Sequence, residues 1–201
     1  MATMKVIKIN PHKLEKNKLN EIINLLKKDK VIIFPTDTVY IPLANAESKK
    51  AVRKAFLIKK RSLKNSIPVF VKDIKTAKKI AIIDKKQEKI LRTSWPGRVT
   101  VILKRRKGKV KIYGVGKKTI ALRIPKFKPI NYLLKKFNKL LVGTSANISG
   151  RSPSGKISEV LRQFEGKKYQ PDLAVDAGIL RHGKPSKIID LTVWPPKTLR
   201  S

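Results

Sequence analysis

The apolar run Val31–Phe34 is the feature that most restricts the fold of this chain. It is followed at once by Pro35. A short continuous apolar run that ends at a proline is typical of a strand buried in a sheet. We therefore predict a buried strand whose end presents polar side chains, namely Thr36, Asp37 and Thr38.

Helical and strand patterns alternate irregularly along the rest of the chain. Leu19, Ile22, Ile23 and Leu26 have the spacing of one helix face, which predicts a helix over about 14–28. Similar patterns predict helices near about 47–58, 74–81, 85–94, 129–138 and 155–165, strands near about 6–9, 67–71, 99–104, 119–125 and 140–143, and late strands in "LAVDAG" and "KIIDLT". We expect a mixed α/β fold (α+β mixed), with a twisted mixed sheet flanked by helices. Residues 1–192 would form one domain and residues 193–201 a short C-terminal tail.

The charge of the chain is strongly positive. Its 201 residues include 49 Lys or Arg and 13 Asp or Glu, which gives a formal net charge of +36. Such a charge favours polyanionic partners such as tRNA, rRNA or nucleotide phosphates. The lysines are spread over the whole sequence, however, so an alternative interpretation is that they only cover solvent-exposed faces.

Several classes of protein are disfavoured by composition. The chain has no cysteine, which excludes disulfides, thiolate catalysis and Cys-ligated metals. No apolar run approaches the ~18 residues of a membrane span. The first ten residues, "MATMKVIKIN", lack the apolar core of a signal peptide. We expect a cytoplasmic protein without a membrane partner.

Two predicted strands end in segments rich in hydroxyl groups. The first is "IIFPTDT", and the second is "LLVGTSANISG" at residues 140–150. In the second, Gly143 permits unusual backbone angles, and Thr144, Ser145 and Asn147 supply hydrogen-bonding groups before Gly150 closes the turn. Ligands of open α/β sheets often bind beyond strand ends, so both segments are candidates for a pocket. The alternative is that each is only a helix N-cap or a tight turn.

Three basic residues are candidates for contact with an anionic ligand. Lys59 and Arg61 lie between a predicted helix and a predicted strand, where a lysine and an arginine can hold a triphosphate. The alternative is an ordinary charged helix end. Arg123, between two apolar neighbours in "IALRIP", points to the other face of its strand, which is either solvent or a carboxylate-binding site.

Other kinds of site are not supported. "YGVGKKT" lacks both the first glycine and the hydroxyl residue of a P-loop. The two histidines, His12 and His182, neighbour no plausible nucleophile, which disfavours a Ser-His-Asp hydrolase. Asp37, Asp176 and Asp190 are the few carboxylates near the candidate pocket. We therefore predict no metal held by protein ligands alone, although a magnesium ion can arrive on phosphates.

Seven motifs occur in an order that resembles a known family. They are "FPTDTVY", Lys59-x-Arg61, "SIPVFV", "WPGRVTVIL", "TIALRIP", "GTSANISG" and "KPSKIIDLT". The series resembles the YrdC-like threonylcarbamoyl-adenylate synthases over about residues 15–200. The resemblance implies a twisted α/β sheet with a positively charged concave face. It also implies synthesis of threonylcarbamoyl-AMP and pyrophosphate from L-threonine, bicarbonate and ATP, which a separate transferase uses to modify a tRNA adenosine.

The resemblance also implies a role for individual residues at the nucleotide end of a pocket. Lys59 and Arg61 would grip the phosphates of ATP. Ser145 and Asn147 would line the same pocket and complete the catalytic set, with Asn147 also contacting ATP. Arg200 in "KTLRS" matches an arginine that contacts the nucleotide in two-domain relatives.

At the amino-acid end, the resemblance implies a second set of contacts. Thr36 and Arg123 would hold threonine, with Arg123 on its carboxylate. Ser145 and Ser186, the latter in "KPSKIID", would also touch the amino acid.

The chain departs from the family pattern at several positions. The usual Tyr-Gly-Leu is replaced by Tyr40-Ile41-Pro42-Leu43, so we expect the loop under the substrate to be rearranged. Ser62 and Arg98 replace prolines of the pattern. The retained cations favour activity. Two other hypotheses stay open: a noncatalytic module of this fold that binds tRNA or double-stranded RNA, and a paralogue that acts on another nucleotide-linked substrate.

Overall fold

The computed structural model describes residues 4–108, 110–181 and 183–201, so His182, considered above, lies outside the described residues. Within these ranges the chain forms ten strands and six helices. The strands are β1 (Val6–Lys8), β2 (Ile32–Phe34), β3 (Ile41–Asn45), β4 (Val69–Phe70), β5 (Val99–Lys104), β6 (Thr119–Arg123), β7 (Leu141–Val142), β8 (Leu173–Asp176), β9 (Lys187–Asp190) and β10 (Lys197–Arg200). The helices are α1 (Lys16–Lys27), α2 (Lys49–Ile58), α3 (Ile74–Ile80), α4 (Lys85–Ser94), α5 (Lys128–Phe137) and α6 (Ile157–Phe164).

All ten strands join one mixed sheet in the order β1-β8-β2-β3-β7-β4-β6-β5-β9-β10. Four strand pairs are parallel, namely β1–β8, β2–β8, β4–β6 and β5–β9. The other five pairs are antiparallel. The predicted mixed α/β fold is therefore confirmed.

The helices bury the faces that their sequence periodicity predicts. Helix α1 buries Leu19, Ile22, Ile23 and Leu26, the residues of the predicted apolar stripe. Helix α2 begins after Ser48, whose hydroxyl oxygen accepts a hydrogen bond from the Ala51 N–H at 3.1 Å. Its C-cap is Lys59. The N-cap and the apolar face of α2 together fix the point at which that lysine leaves the helix.

Strand β3 corrects the expectation of a rearranged loop after Tyr40. Ile41 and Pro42 belong to this strand, and Pro42 lies opposite Ile33 of β2. On its other side β3 pairs with β7 only through Ala44 and Asn45. At Pro42, β3 has no hydrogen-bonded partner on the β7 side. A proline, which has no N–H to donate, is therefore accommodated in this strand.

The segment predicted as a C-terminal tail contains an ordered strand. β10 pairs with β9 in antiparallel orientation and ends the sheet. Its four residues are all exposed, so its sequence shows no buried face. The division of the chain at residue 192 stays a prediction.

The core lies between the sheet and its flanking helices. The largest fully buried side chains include Tyr40, Phe34 and Phe164. The Tyr40 hydroxyl donates to the Gly178 carbonyl at 2.7 Å and accepts from the Ala177 N–H at 3.0 Å. Burial raises its pKa to about 12, so it stays a neutral link from the residue before β3 to the end of β8. No helix in the described part of the chain combines the length and hydropathy needed to cross a bilayer.

Candidate active site

A shallow cleft with a cavity volume of about 40 Å³ lies where the ends of β2 and β7 meet strands β5, β6, β9 and β10. Four of the predicted site residues line it, namely Arg123, Ser145, Ser186 and Arg200. A neighbouring small depression is lined by Lys59 and Arg61. Thr144 lines both spaces. The structure therefore brings the two hydroxyl-rich segments and the basic segment to one place.

Arg123 forms the base of the cleft and is only 3% exposed. Its guanidinium donates from Nη2 to Asp37 Oδ1 at 2.6 Å and from Nη1 to Thr38 Oγ1 at 3.0 Å. Its Nε donates to the Gly97 carbonyl at 3.1 Å. Burial lowers the pKa of Arg123, and the Asp37 carboxylate opposes that shift. The strand face that carries Arg123 is thus a buried polar site, and the solvent alternative is wrong.

The two threonines of the first segment have different positions. Thr36 Oγ1 donates to the Val39 carbonyl at 2.7 Å and accepts from the Thr38 and Val39 N–H groups. Because its proton goes to Val39, the 2.9 Å contact with Thr38 Oγ1 has Thr38 as the donor. Thr36 therefore holds the turn, while Thr38 lines the cleft. The Thr38 oxygen, which also accepts from Arg123, retains one lone pair for a ligand.

The far wall of the cleft is formed by β5, β9 and β10. Ser186 precedes β9, is buried, and shares a hydrogen bond of 2.8 Å with the hydroxyl of Thr100 in β5. Arg200 of β10 donates from Nε and Nη2 to the Ser186 carbonyl at 2.9 and 2.7 Å. Partial loss of solvent around its guanidinium lowers the pKa of Arg200. Strand β10, absent from the sequence prediction, thus brings the predicted Arg200 to the predicted Ser186.

Lys59 is buried to the same degree as Arg123, with 3% exposure. Its Nζ donates to the Ser145 carbonyl, to the Asn147 carbonyl at 2.6 Å and to Asn147 Oδ1 at 3.4 Å. No carboxylate of the described residues lies within 4 Å of this ammonium. Burial, reinforced by the charge of Arg61, lowers the pKa of Lys59 to about 7. It is therefore not an ordinary solvated helix end.

Arg61 lies at the outer edge of the same cavity. Its Nε and Nη2 donate to the carbonyls of Asn65 and Ser66 at 3.2 and 2.9 Å, which holds the segment before β4. Burial lowers the pKa of Arg61. The guanidinium has further N–H groups that these two carbonyls do not use.

Asn147 fastens the second hydroxyl-rich segment. Its Nδ2 donates to the carbonyls of Ile148 and Arg151, and the Ser149 N–H donates to the Lys59 carbonyl at 2.9 Å. This segment is therefore attached to the end of α2 through both side-chain and backbone atoms.

Gly143 begins this segment for a reason other than the predicted one. Its φ is not among the positive values of the described glycines, whereas Gly150 has φ +87°. A Cβ at Gly143 would lie 2.8 Å from Ile41 Cδ1 and 3.1 Å from Phe70 Cε2. The glycine is needed because β7 ends in close contact with Ile41, a residue that lines the cleft.

The described residues provide no obvious protein-bound metal. No group of three or more potential metal ligands occurs among them. The carboxylate at the cleft, Asp37, binds Arg123 through Oδ1 and accepts from the Lys126 N–H through Oδ2 at 2.9 Å. Both of its oxygens are therefore already paired.

Reasoning from the sequence assigned no site role to three contributors, Asp37, Thr38 and Thr100. Asp37 and Thr38 belong to the "IIFPTDT" segment. A turn has no regular side-chain periodicity, so its sequence does not show which side chain faces the cleft. Thr100 is a buried polar residue within the apolar strand "VTVILK". A lone hydroxyl in such a strand was the available signal, because buried polar groups need a partner.

Comparison with known proteins identifies the family. Residues 24–201 match the profile of the Sua5/YciO/YrdC proteins, a family described as "Telomere recombination". The chain belongs to this family. A threonylcarbamoyl-AMP synthase from Pyrococcus abyssi is 30% identical over 189 residues, which cover 94% of this chain and 55% of that protein. A threonylcarbamoyl-AMP synthase from Buchnera aphidicola (subsp. Baizongia pistaciae) is 33% identical over 180 residues, with 86% and 92% covered.

A solved structure of the same family extends the agreement to three dimensions. The crystal structure of P. abyssi Sua5 complexed with L-threonine has a TM-score of 0.86 and 29% identity to this chain. It covers 99% of this chain and 57% of the Sua5 chain. This family member thus spans about half the length of its P. abyssi relatives and most of the length of the Buchnera protein.

Proposed function

We propose that this protein is an L-threonylcarbamoyladenylate synthase, a nucleotidyltransferase that makes threonylcarbamoyl-AMP and pyrophosphate from L-threonine, bicarbonate and ATP. Its relatives from P. abyssi and B. aphidicola carry the name threonylcarbamoyl-AMP synthase. One observation of the structure supports the proposal most. Lys59, a buried cation facing only neutral oxygens, adjoins the cleft that contains Arg123, Thr38 and Ser186.

The proposed chemistry requires charge stabilisation more than a nucleophilic side chain. Threonine and bicarbonate condense to N-carboxy-threonine, with loss of water. A carboxylate oxygen of that carbamate then forms a bond to the α-phosphorus of ATP, and the bond from this phosphorus to the β-bridging oxygen breaks. Negative charge develops on the leaving pyrophosphate, where Lys59 and Arg61 would stabilise it. Holding the two reactants side by side at the cleft would supply the orientation.

The chemistry of the cleft lining supports threonine as its ligand. Thr38 and Ser186 offer hydroxyl groups, while Arg123 and Arg200 supply two guanidinium groups that would face the carboxylate of an amino acid. The hydrogen bonds of Thr36 are used within the turn, so we propose Thr38 as the threonine that meets the substrate.

The second hydroxyl-rich segment would lie between the two substrates. Ser145 lines the cleft, and its carbonyl binds Lys59. Asn147 would act by holding this segment in place, since its side-chain amide is bonded to the carbonyls of Ile148 and Arg151.

The described residues include no group of three or more potential metal ligands, and Asp37, the carboxylate beside the cleft, is hydrogen-bonded to Arg123 and to the Lys126 N–H. The expectation that magnesium arrives on the phosphates of ATP stays a prediction, and we assign no step to the ion. The reaction product would be consumed by a separate transferase that modifies tRNA. The expected cytoplasmic location stays a prediction.

The proposal is tested by pyrophosphate release from purified protein with ATP, magnesium, bicarbonate and threonine. We expect release only when both threonine and bicarbonate are present. Arg61→Ala should reduce it by about 10²-fold, the usual effect of removing one donor to developing charge. Lys64→Ala, an exposed cation of the same segment, is the matched control and should retain full activity.

Two results would count against the proposal. Release that does not depend on threonine would exclude this substrate. Equal activity of Arg61→Ala and Lys64→Ala would exclude the assigned phosphate site even if the overall reaction occurs.

A further inference from the structure

The substrate cleft has apolar lining residues that the proposed chemistry does not use. Three of them are in mutual contact. A Cβ placed on Gly143 would lie 2.8 Å from Ile41 Cδ1 and 3.1 Å from Phe70 Cε2, so both side chains pack closely against Gly143. All three residues line the cleft. We call Ile41, Phe70 and Gly143 the apolar wall.

The polar lining residues of the cleft contact one another in the same way. Arg123 donates to the Thr38 hydroxyl at 3.0 Å. Ser186 is bonded to Thr100 through its hydroxyl and to Arg200 through its carbonyl. Besides burial, the charge of Arg200 lowers the pKa of Arg123, so the two guanidinium groups lie near each other. An amino acid whose carboxylate faces these arginines can therefore place its side chain against the apolar wall.

The position of Ile41 in the apolar wall is fixed by its strand. Ile41 begins β3 and pairs with Phe34 of β2. The carbonyl of Tyr40, the residue before it, accepts from the Ala146 N–H at 2.7 Å. The side chain of Ile41 is buried, and its branch at Cβ restricts it to few rotamers. Because the backbone at Gly143 blocks movement towards β7, Ile41 cannot easily withdraw from a larger ligand.

The volume of the cleft limits the size of the group that can enter it. The cavity measures about 40 Å³. A group the size of a water molecule requires roughly 10–15 Å³, so the cleft accepts about three such groups. The side chain of threonine has this number of non-hydrogen atoms, namely Cβ, Oγ1 and Cγ2. A side chain with one more carbon would have to displace part of the apolar wall.

We propose that Ile41 sets the upper limit on the size of the amino-acid side chain, so that the cleft accepts threonine and excludes an amino acid one methylene longer. This inference rests on the proposed synthase function and adds to it a residue that determines specificity. An isoleucine that only completed the core would affect stability and would not affect the choice between two amino acids. The experiments below measure that choice.

The first experiment compares threonine with L-3-hydroxynorvaline of the same configuration. This probe is threonine with its methyl group extended to an ethyl group, and it retains the amino, carboxylate and hydroxyl groups. The measurement is kcat/KM for pyrophosphate release with each amino acid at saturating ATP and bicarbonate. We expect the unaltered protein to favour threonine by about 10–200-fold, the usual discrimination for one methylene in an apolar site.

The second experiment removes one carbon from the apolar wall, to match the carbon added to the probe. Ile41→Val deletes Cδ1, the atom that packs against Gly143. The ratio of the two kcat/KM values should fall by about ten-fold, mainly through a gain for hydroxynorvaline. Ile33→Val is the matched control, because it deletes the same atom from a buried isoleucine of β2 that is not among the residues lining the cleft. The control should retain the ratio of the unaltered protein.

Calorimetric titration without ATP separates this inference from the synthase reaction. Threonine should bind to all three proteins, and hydroxynorvaline should bind at least about ten-fold more tightly to Ile41→Val than to the unaltered protein. Threonine binding without pyrophosphate release would contradict the proposed function but would leave the size limit measurable by titration. Three results would overturn the inference: no binding of threonine, equal binding of both amino acids to the unaltered protein, or the same change of preference in Ile41→Val and Ile33→Val.

Discussion

Arg123 and Lys59 are buried to the same extent, but their surroundings differ in charge. Arg123 faces a carboxylate, because Asp37 lies 2.6 Å away. Lys59 faces only neutral oxygens of Ser145 and Asn147. A buried cation is stabilised by a counter-ion and penalised without one. The charge of Arg123 is therefore already neutralised within the protein. Lys59 would be stabilised more than Arg123 by an anionic ligand.

This difference assigns different work to the two ends of the site. The Arg123–Asp37 pair fixes the position of Thr38 and the floor of the cleft. Lys59, whose pKa is lowered to about 7, holds the second hydroxyl-rich segment, and under the proposed function phosphate oxygens would replace the carbonyls. A paired cation thus supports the architecture of the cleft, and the unpaired one is the candidate for contact with a charged substrate.

The largest effect is expected from breaking the pair. Asp37→Ala leaves the guanidinium of Arg123 buried without its counter-ion, which should lower the free energy of unfolding by about 3–5 kcal/mol. Urea denaturation followed by circular dichroism measures this change. The matched control, Glu21→Ala, breaks the exposed pair of Glu21 with Lys5 and should cost less than about 1 kcal/mol.

A double variant sharpens the same test. Asp37→Leu/Arg123→Met removes both charges, so most of the lost stability should return, while pyrophosphate release should stay absent. If Asp37→Ala is no more destabilising than Glu21→Ala, the Arg123–Asp37 pair does not stabilise the base of the cleft. The proposed difference between Arg123 and Lys59 would then be wrong.

The second prediction concerns the unpaired cation. Lys59→Met replaces the ammonium by an apolar chain of similar length, so pyrophosphate release should fall by about 10²–10³-fold. At pH 7 the free energy of unfolding should drop by no more than about 1 kcal/mol, since the substitution removes a buried charge that has no counter-ion. Steady-state kinetics and urea denaturation on the same preparation measure the two effects. Loss of several kcal/mol with retained activity would mean that Lys59 is structural.

Sequence patterns anticipated most of the fold because burial imposes a period. The spacing of Leu19, Ile22 and Ile23 indicated α1 within about two residues of its observed ends. Strand β3 was missed because a proline disfavours a strand that is paired on both sides. Only the structure shows that β3 has no β7 partner at Pro42. β10 was missed because its residues are all exposed and carry no alternation.

The site was anticipated where a residue type is rarely buried without a reason. Lys59, Arg61 and Arg123 were singled out as cations beside apolar strands, and the structure brings all three to adjoining spaces. The sequence could not distinguish the role of Thr36 from that of Thr38. Their roles differ because of hydrogen bonds that form only in the folded turn. The pairing of Asp37 with Arg123 spans 86 residues and leaves no local signal.

The third prediction tests whether the charge or the shape of Arg123 matters. Arg123→Lys retains the charge near Asp37, but a single ammonium cannot reach Asp37, Thr38 and Gly97 together. We expect a loss of about 2 kcal/mol of unfolding free energy, consistent with two missing hydrogen bonds to buried groups. The KM for threonine should rise while the KM for ATP changes little, because the altered contacts lie at the amino-acid end. Equal changes in both KM values would contradict a division of the site into two ends.

The smallest effect is expected from pH, and it follows from the absence of a counter-ion at Lys59 among the described residues. Burial, with the nearby charge of Arg61, lowers the pKa of Lys59 from its ordinary value of 10.5 to about 7. Between these values the unfolded chain binds a proton that the folded protein does not, so this group makes the folded state more stable as pH rises. Urea denaturation of the unaltered protein and of Lys59→Met at about pH 7, 8 and 9 isolates this contribution, since the other lysines titrate alike in both. The difference in unfolding free energy should grow in favour of the unaltered protein by about 1 kcal/mol per pH unit. A difference that stays constant over this range would show that Lys59 remains charged in the folded state, and its distinction from Arg123 would then disappear.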